Sequence, residues 1–397
     1  MKLLDCNAGI LIGVSSGIAC YKSIEVIREL QKRGYKNIET VLTKNTVNFL
    51  SPNLFEAITG KKPYIDVFEE GRLLSHISVV EDKKVFAIVP ATANIIGKLA
   101  NGIADDFLST CYLAFKGQTL IFPSMNANMY SHAATQRNLE TLKKDGCVVI
   151  EPDSGYLACG YEGKGRLPGI KTVADFIELY ANKRDTLKGK RVLITSGGTV
   201  EPIDSVRVIT NRSSGTMGKA LAKAFALSGA EVTVITGNHS VEYPSYTQVI
   251  KVNTVDEMYR EVNKLYHSSH IVVMAAAVSD FKVKNYSEGK IKKKDKLILE
   301  LEKTIDILET LGKKKNNQIL IGFAAETDNL LENSKDKLKR KNADLIVANK
   351  VGENEGFGDK DLKGYFVFKS GNYLDFSMDK DSVAEKIVEI AGELIDG

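Results

Sequence analysis

Short apolar runs that end in Gly, Ser or Thr alternate along the chain with longer stretches in which Ala, Leu, Lys and Glu recur at helical spacing. Short apolar runs are typical of buried strands, and helical spacing is typical of amphipathic helices. The pattern therefore predicts an α/β fold with mostly parallel strands. In the first half it predicts helices at about 17–33, 93–101, 104–115 and 131–144, and strands at 8–14, 38–42, 85–89, 119–122 and 147–150.

The polar segment at 181–190 separates two such patterns, because a strand followed by glycines begins again at 191. We place a domain boundary here, with one domain at 1–185 and a second at 186–397. The second domain is predicted to end in an edge hairpin and a helix, after strands at 191–195, 231–235, 270–276, 318–325 and 344–349. Ser370, Gly371 and Asn372 mark the turn of that hairpin. The fold prediction is two doubly wound sheets, whose ligand sites lie at the carboxyl ends of the strands.

Composition limits the class of protein. With 43% hydrophobic and 26% charged residues, the chain can build a full core, which excludes a disordered or fibrous protein. A net charge of +4 means that any bound anion must be held by a local basic patch. No C-x-x-C motif occurs among the five cysteines, so neither a disulfide scaffold nor a zinc finger is indicated. The N-terminus lacks a signal pattern, and the apolar run at 272–278 is too short to span a bilayer, so we expect a cytoplasmic protein without a membrane partner.

A short glycine turn follows the first predicted strand. Gly13, Ser15 and Ser16 lie in the sequence GVSSGIA, where backbone N–H groups and two hydroxyls could hold a phosphate. The turn matches neither the dinucleotide nor the Walker pattern, and a purely structural turn remains the alternative. The second strand is followed by Thr43 and Lys44, so the carboxylate that grips the ribose of NAD is missing.

Two further strand ends carry small hydroxyl and amide residues, in the sequences PATAN at 90–94 and PSMNANM at 123–129. Such a set suits a flat cofactor with a polar edge and a phosphate tail, although helix N-caps would give the same pattern. His76 is either a structural hydrogen-bonding group or a catalyst. Cys159 lies in a glycine-rich stretch at 158–166 that is long enough to form a flap, and a thiol with an ordinary pKa could donate a proton there.

The motifs GVSSGIA, SHI, PATAN, PSMNANM and ACGYEGKGR, in this order, resemble the flavin-dependent cysteine decarboxylases, in particular the phosphopantothenoylcysteine decarboxylase half of the bifunctional coenzyme A biosynthesis proteins. The resemblance covers the whole first half and implies a flavodoxin-like domain with bound FMN. It implies that His76 is the catalytic histidine, that Asn126 and Met129 contact the substrate carboxylate, and that Cys159 donates a proton. The cofactor-binding residues that it implies are Gly13, Ser15, Ser16, Thr92, Asn94 and Ser109.

The implied chemistry explains these residue types. Direct loss of CO2 from a cysteine amide would leave an unstabilised carbanion. Oxidation of the thiol by the flavin gives a thioaldehyde, which can accept the electrons. Return of the hydride, with a proton from Cys159, makes the cycle redox-neutral, so no nicotinamide is needed.

In the second half, two glycine-rich loops precede one helix, and the loop at 209–218 presents backbone donors at the helix N-terminus. A dehydrogenase remains an alternative, although the strand at 231–235 is followed by Thr, Gly and Asn rather than an acidic residue. Basic runs lie at 282–296 and 335–341, and the first follows a strand end, so at least one lysine should reach the site. Nucleic-acid binding is disfavoured, because acidic segments offset these runs and stacking aromatic residues are not interleaved.

The motifs SGGTVEPID, ITNRSSGTMG, AAAVSDF, KIKK and GFAAET, followed by KLKRKNADLIVAN, resemble the phosphopantothenate-cysteine ligase half of the same bifunctional proteins. The resemblance covers 190 to about 350 and implies a Rossmann-like domain. It implies that CTP activates 4'-phosphopantothenate as an acyl-cytidylate, which the amine of cysteine then attacks. A triphosphate also implies Mg²⁺ held largely through its phosphates.

The same resemblance implies roles for individual residues. Asn211 would grip the acyl intermediate, and Lys290 would stabilise charge during activation. The cytidine would lie among Ala277, Asp280 and Phe323, and the triphosphate would meet Lys337 and Lys341. The sequence departs from the family pattern at Ile305, where Pro is common, and at 356–362, which lacks an asparagine found near its end.

The sequence thus predicts a bifunctional enzyme of coenzyme A biosynthesis that ligates cysteine to 4'-phosphopantothenate and then decarboxylates the product. Its partners would be small molecules rather than nucleic acid, and the family expectation is a dodecamer with trimeric decarboxylase and dimeric ligase contacts. The alternative from another class is a binding module, because halotolerance-type regulators share the flavin fold and inhibit phosphatases, but that alternative gives the second half no purpose. A flavin prenyltransferase is disfavoured by the joint presence of His76 and Cys159.

Overall fold

The chain divides into two compact units, one formed by Leu4–Asn182 and one that begins at Lys183. The computed structural model describes residues 4–67, 75–156, 160, 162–292, 297–326, 329–350 and 361–396. Both units are α/β, as the alternation of apolar runs and helical stretches predicts. Within the ranges described, each helix is too short or too polar to cross a membrane.

The first unit is built on a parallel sheet whose strand order, β2-β1-β3-β4-β5, is that of the flavodoxins. Its strands are β1 (Gly9–Val14), β2 (Ile38–Leu42), β3 (Lys83–Ala91), β4 (Gln118–Pro123) and β5 (Val148–Val149). A separate antiparallel ribbon consists of β6 (Asp153–Tyr156) and β7 (Glu162–Arg166). The α-helices are α1 (Lys22–Lys32), α2 (Pro52–Thr59), α3 (Ser75–Glu81), α4 (Ala93–Ala100), α5 (Phe107–Ala114), α6 (Ala127–Ser131), α7 (Ala133–Lys144) and α8 (Ile170–Asn182).

Helices cover both faces of this sheet, which is why its strands are continuously apolar. Every residue of β1 is buried. Side chains of α1 and α8, such as Val26 and Val173, share one core with the sheet. Side chains of α4 and α5, such as Ile96 and Leu108, form the core on the opposite face.

Two predicted helices of the first unit differ from the observed helices at their starts. The helix predicted at 17–33 begins as a 3₁₀ turn at Ile18–Tyr21 and continues as α1, and Gly17 before it is extended. The helix predicted at 131–144 is confirmed as α7, and the extended backbone of His132 separates it from α6. The ring of His132 accepts a hydrogen bond from the N–H of Ala134, so side-chain capping sets where α7 begins.

The second unit contains a sheet in the order β12-β11-β8-β13-β16-β17-β18-β19. Its first six strands are parallel and follow the Rossmann order, and the last two are an antiparallel extension at one edge. The strands are β8 (Arg191–Ser196), β11 (Glu231–Thr236), β12 (Gln248–Lys251), β13 (Ile271–Met274), β16 (Ile319–Glu326), β17 (Leu345–Lys350), β18 (Leu362–Phe368) and β19 (Tyr373–Met378). Two small antiparallel ribbons pair β9 (Val200–Pro202) with β10 (Val208–Thr210) and β14 (Phe281–Val283) with β15 (Leu301–Lys303). The helices are α9 (Thr216–Leu227), α10 (Val255–Tyr266), α11 (Ile307–Lys313), α12 (Leu330–Lys341) and α13 (Lys380–Asp396).

The predicted edge hairpin is confirmed, since β18 and β19 pair around Gly371, whose φ of 89° favours glycine. The strand predicted at 270–276 is shorter than expected, because the chain leaves the sheet after Met274. In both units the strand order reverses beside the first strand, between β1 and β3 and between β8 and β13. Ligands of doubly wound sheets bind at this reversal, outside the carboxyl ends of the strands.

Candidate active sites

At the reversal point of the first unit, Ser15 joins the ends of two strands. Its hydroxyl donates a hydrogen bond to the carbonyl of Pro90 at 2.8 Å and accepts one from the N–H of Thr92 at 2.9 Å. The side chain is buried, so this hydroxyl is engaged within the protein. Ser16 is partly exposed and Asn94, on α4, is exposed.

Two glycines of this loop are explained by close packing. A Cβ on Gly13 would lie 2.9 Å from a ring carbon of Phe86 and 3.1 Å from a methyl group of Leu108. A Cβ on Gly17 would lie 3.2 Å from the methyl group of Thr92. The loops after β1 and β3 therefore approach each other closely. Packing by itself accounts for Gly13, whose cofactor contact remains a prediction.

The third strand end contributes Asn126, which begins α6. Its Oδ1 accepts a hydrogen bond from the N–H of Asn128 at 2.8 Å, while Met129 is half exposed. The preceding residue, Met125, donates its N–H to the carbonyl of Gly165 in β7 at 3.0 Å. The β6–β7 ribbon thus lies against the loop that carries Asn126. Cys159, which falls between these strands in the sequence, lies outside the described residues.

His76 presents a buried ring nitrogen without a partner. Within the part of the chain that the structure describes, neither its Nδ1 nor the buried hydroxyl of the adjacent Ser75 has a hydrogen-bond partner. Both residues begin α3, which packs against α5. Buried polar atoms without partners are costly and rare in native folds, and they are often explained by a bound ligand or a catalytic role. Ser75 was missed from the sequence, where a serine beside a histidine gives no signal of burial.

Ser109 lies on α5, where it takes part in a capping box with Asp106. Its N–H donates to Oδ1 of Asp106 at 2.9 Å, and its buried hydroxyl contacts the same carboxylate at 3.0 Å. Burial raises the pKa of Asp106, but the hydrogen bonds from Lys98 and from the cap outweigh burial and lower that pKa. Asp106 was also missed, although the spacing D-x-x-S is a recognisable helix start.

The groups at these strand ends fit a flavin. They are neutral hydroxyl and amide groups beside helix starts, together with the unpartnered Nδ1 of His76. The ring of a flavin nucleotide has polar edges that such groups can bind. The phosphate at the end of its side chain suits backbone N–H groups at a helix N-terminus.

The second unit contains a cavity of about 1040 Å³ at the reversal between β8 and β13. Among the described residues, those lining it include six with basic and two with acidic side chains, so the cavity suits an anion. It brings together six of the residues predicted from the sequence, namely Asn211, Ala277, Asp280, Phe323, Lys337 and Lys341. Lys290 is exposed and is not among the lining residues.

One wall of the cavity is the N-terminus of α9. Gly215, at φ 80°, precedes the helix, and a Cβ on Gly218 would lie 1.9 Å from the hydroxyl of Ser196, so the helix approaches β8 as closely as glycine allows. Beside it, Nδ2 of Asn211 donates to the carbonyls of Ala277 and Val278 at 3.2 Å each. The free N–H groups of the first helical turn can bind an anion here.

The cavity is also lined by two lysines of α12 that are held in place by other groups. Lys337 donates to the carbonyl of Phe323 at 2.9 Å. Lys341 is 3% exposed and is paired with Asp306 and with Glu309, the latter at 2.9 Å. Hydrogen bonds from Lys313 and Lys341 lower the pKa of Glu309 to about 2.

Asp306 and Glu309 were missed from the sequence. Asp306 begins α11 and accepts the N–H of Glu309 at 2.9 Å, so the spacing D-x-x-E marks a helix start but does not reveal the lysine that both carboxylates bind. Ile305, the first departure from the family pattern, lines the cavity. Residues 351–360, which include most of the second departure, lie outside the described residues.

Within the described part of the chain, no cluster of three or more His, Cys, Asp or Glu residues is arranged to hold a metal ion.

Two family models match the chain. Residues 4–182 match the flavoprotein family, and residues 187–394 match the family described as the DNA/pantothenate metabolism flavoprotein C-terminal domain. The chain is 42% identical over 392 residues to the coenzyme A biosynthesis bifunctional protein CoaBC of Bacillus subtilis, with 96% of each chain covered. It is 38% identical to the protein of that name from Borreliella burgdorferi, with 98% of this chain and 100% of that one covered. It is also 42% identical to a cysteine/cysteine sulfinic acid decarboxylase of an unknown prokaryotic organism, with 84% of this chain and 96% of that one covered.

Proposed function

The chain belongs to the family of the coenzyme A biosynthesis bifunctional proteins, which combine a decarboxylase with a ligase, and from this premise we propose which ligands each unit binds. The second unit ligates cysteine to 4'-phosphopantothenate with CTP. The first unit, as an FMN-dependent decarboxylase, then converts 4'-phosphopantothenoylcysteine into 4'-phosphopantetheine. The decarboxylase domain comprises residues 1–185, and the ligase domain comprises residues 186–397.

In the first unit, bound FMN supplies reversible oxidation of the substrate thiol, which makes loss of CO2 possible. Nδ1 of His76 exchanges a proton with the substrate thiol, a role that is supported by its lack of a partner among the described residues. Asn126 and Met129 orient the carboxylate, and the thiol of Cys159 returns a proton to the product. The cofactor is bound by Ser16, Thr92 and Asn94 at the helix starts, with Gly13, Ser15 and Ser109 shaping the same edge.

In the second unit, the triphosphate of CTP, with Mg²⁺, meets Lys337 and Lys341. The cytidine lies among Ala277, Asp280 and Phe323. Lys290 stabilises the charge that develops as the carboxylate of 4'-phosphopantothenate attacks, and Asn211 holds the acyl-cytidylate until cysteine displaces CMP.

The observation that carries this proposal is that one cavity is lined by six of the residues expected around CTP and the acyl-cytidylate. Its basic lining supports a triphosphate, and it gives the second unit a purpose that a phosphatase-inhibiting binding module would lack. The neutral edge of the first unit, with the unpartnered Nδ1 of His76, supports a flavin rather than a second nucleotide triphosphate.

The test uses the purified full chain and separates the two reactions. With Mg²⁺, CTP and 4'-phosphopantothenate, the chain should release pyrophosphate as the acyl-cytidylate forms. Added cysteine should then allow repeated turnover, in which CO2 and pyrophosphate are released in equal amounts. Omitting CTP should stop both products, and supplying 4'-phosphopantothenoylcysteine directly should restore CO2 alone. Pyrophosphate release that depends on ATP but not on CTP would contradict the nucleotide assignment. Faster CO2 release from free cysteine than from 4'-phosphopantothenoylcysteine would contradict the substrate assignment.

We also propose that the chain is cytoplasmic and assembles into a dodecamer through trimeric contacts of the first unit and dimeric contacts of the second. Light scattering of the purified chain tests the assembly, since a monomeric mass at working concentration would contradict it.

A further inference from the structure

The turn between β9 and β10 holds the chain segment that carries Lys290. Asp204 lies in this turn and is 2% exposed. Its Oδ1 accepts hydrogen bonds from the N–H groups of Val206 and Arg207 at 2.8 Å each. Its Oδ2 accepts a hydrogen bond from the N–H of Ile291, the residue after Lys290, at 3.1 Å.

The carbonyl of Ile291 is fixed by the same turn. Nη2 of Arg207 donates to this carbonyl at 2.7 Å, and Nε of Arg207 lies 3.6 Å from Oδ2 of Asp204. The N–H of Ser287 donates to the carbonyl of Ile203 at 3.4 Å, which is a second, longer link. Both main-chain polar groups next to Lys290 are therefore bound by side chains of one turn.

Asp204 is suited to act as an anchor. Burial raises the pKa of its carboxyl, but the three N–H donors and Arg207 outweigh burial and lower that pKa. The carboxylate is therefore ionised at neutral pH, and hydrogen bonds to an ionised acceptor are stronger than those to a neutral one.

The same hairpin also leads into the cavity. β10 ends at Thr210, and the next residue, Asn211, lines the cavity. Lys290 has an exposed side chain, so packing does not fix its position. Among the described residues, the anchor on Ile291 is the contact nearest to Lys290 in the sequence that limits where its ammonium can lie.

We propose that Asp204 is a positioning residue for Lys290, because its carboxylate, with Arg207, fixes the main chain beside this lysine so that the ammonium can reach a nucleotide held in the cavity. The inference rests on the proposed function, in which Lys290 acts during carboxylate activation and Asn211 acts on the acyl intermediate.

Asp204→Asn tests the anchor, since asparagine is nearly isosteric and keeps an oxygen for the turn but loses the second acceptor, which binds Ile291. Hydrogen exchange in a peptide covering 288–292 should become faster, whereas exchange in β13 should not change. The single-turnover rate of pyrophosphate release with saturating CTP and 4'-phosphopantothenate, measured before cysteine is added, should fall by roughly tenfold or more, as for the loss of a charge-assisted hydrogen bond. The CTP concentration that gives half of the maximal rate should stay similar. Amide formation from the accumulated acyl-nucleotide, started by adding cysteine, should keep its rate.

Glu300→Gln is the matched control. Glu300 is exposed and pairs with Lys284 at 2.6 Å on the ribbon that leads into the same segment. This variant should leave exchange at 288–292 and both rates unchanged. Arg207→Lys keeps the charge but removes the planar donor to Ile291. It should increase exchange at 288–292 and slow pyrophosphate release, both less than Asp204→Asn does. If Asp204→Asn does not fold, Arg207→Lys takes its place.

Unchanged exchange at 288–292 in Asp204→Asn would overturn the inference. A loss in the cysteine-dependent step with normal pyrophosphate release would overturn it too, because Asp204 would then act through Asn211. If the wild-type chain releases no pyrophosphate with CTP, the proposed function fails, while hydrogen exchange still decides whether Asp204 holds the segment of Lys290.

Discussion

The two units place their candidate sites at the same point of a doubly wound sheet but build them from different groups. In the first unit, neutral groups at the strand ends bind one another, as Ser15 does with Pro90 and Thr92. In the second unit, charged side chains line an open cavity, and its buried lysine, Lys341, is balanced by two carboxylates.

This difference shows how one architecture supports two chemistries. A buried lysine with paired carboxylates can exchange protein partners for phosphate oxygens, because charge is already present and compensated. A neutral edge with an unpartnered histidine nitrogen can bind an uncharged ring and move a proton without such an exchange. The position of the site follows from the strand order, whereas its ligand follows from the side chains.

The largest expected effect comes from replacing His76, which should affect the reaction of the first unit and leave that of the second unchanged. His76→Asn should lower CO2 release from 4'-phosphopantothenoylcysteine by roughly a hundredfold or more, since a positioned proton-transfer group contributes about that factor. Flavin absorbance and CTP-dependent pyrophosphate release should remain as in the wild type. His132→Asn is the control, because His132 is exposed and caps α7 of the same unit. Equal CO2 release from His76→Asn and the wild type would exclude His76 from the reaction.

The next largest effect is expected when the charge balance of the second unit is disturbed at Lys341. Lys341→Met leaves Asp306 and Glu309 without their buried partner at the cavity wall, and removes a cation from the proposed triphosphate site. The KM for CTP in pyrophosphate release should rise by about tenfold or more, as expected for one lost charge-assisted contact. Decarboxylation of supplied 4'-phosphopantothenoylcysteine should be unaffected.

Lys315→Met is the matched control for this variant. Lys315 is also buried and paired with a carboxylate, that of Asp344 at 2.5 Å, but it does not line the cavity. Both variants should lower the melting temperature, because each removes a buried cation that is paired with a carboxylate. An equal rise in KM for both would show that Lys341 acts only through stability.

The smallest effect concerns pH. The pKa of Glu309 is lowered to about 2 by Lys313 and Lys341, so its carboxylate stabilises the fold above its unfolded pKa of about 4.3, and this contribution is lost as the pH falls toward 2. Glu309→Gln should therefore lower the melting temperature at pH 7, and the difference from the wild type should shrink between about pH 4 and pH 2. Glu332→Gln, which alters an exposed pair with Lys335 at 3.7 Å, should show no such trend. A constant difference at all pH values would contradict the role of Glu309 as a charged partner.

The comparison also shows what the sequence could predict. Apolar periodicity identified the parallel strands, and both strand orders agree with the predicted flavodoxin-like and Rossmann-like folds. It did not predict the break at His132, because that break depends on one ring nitrogen that caps Ala134. It also overestimated the strand at 270–276, since the chain leaves the sheet while its residues are still apolar.

Candidate residues were predicted best where strand ends meet. Six second-unit residues chosen by motif line one cavity. The meeting of parallel strand ends accounts for Ala277 and Asp280, which follow β13, and for Phe323 in β16. Partners such as Asp306 for Lys341 come from distant positions in the chain, and spacing carries no signal of such pairs. The unpartnered Nδ1 of His76 likewise becomes visible only once α3 is packed.

The central claim, that the neutral strand ends of the first unit hold a flavin, is tested most directly by titrating FMN into the flavin-free full chain and following flavin absorbance and fluorescence. We predict saturable binding in an amount stoichiometric with the chain, weakened in Ser16→Ala and retained in Lys341→Met. A chain that binds no FMN at saturating concentration, while still releasing pyrophosphate with CTP, would contradict the claim.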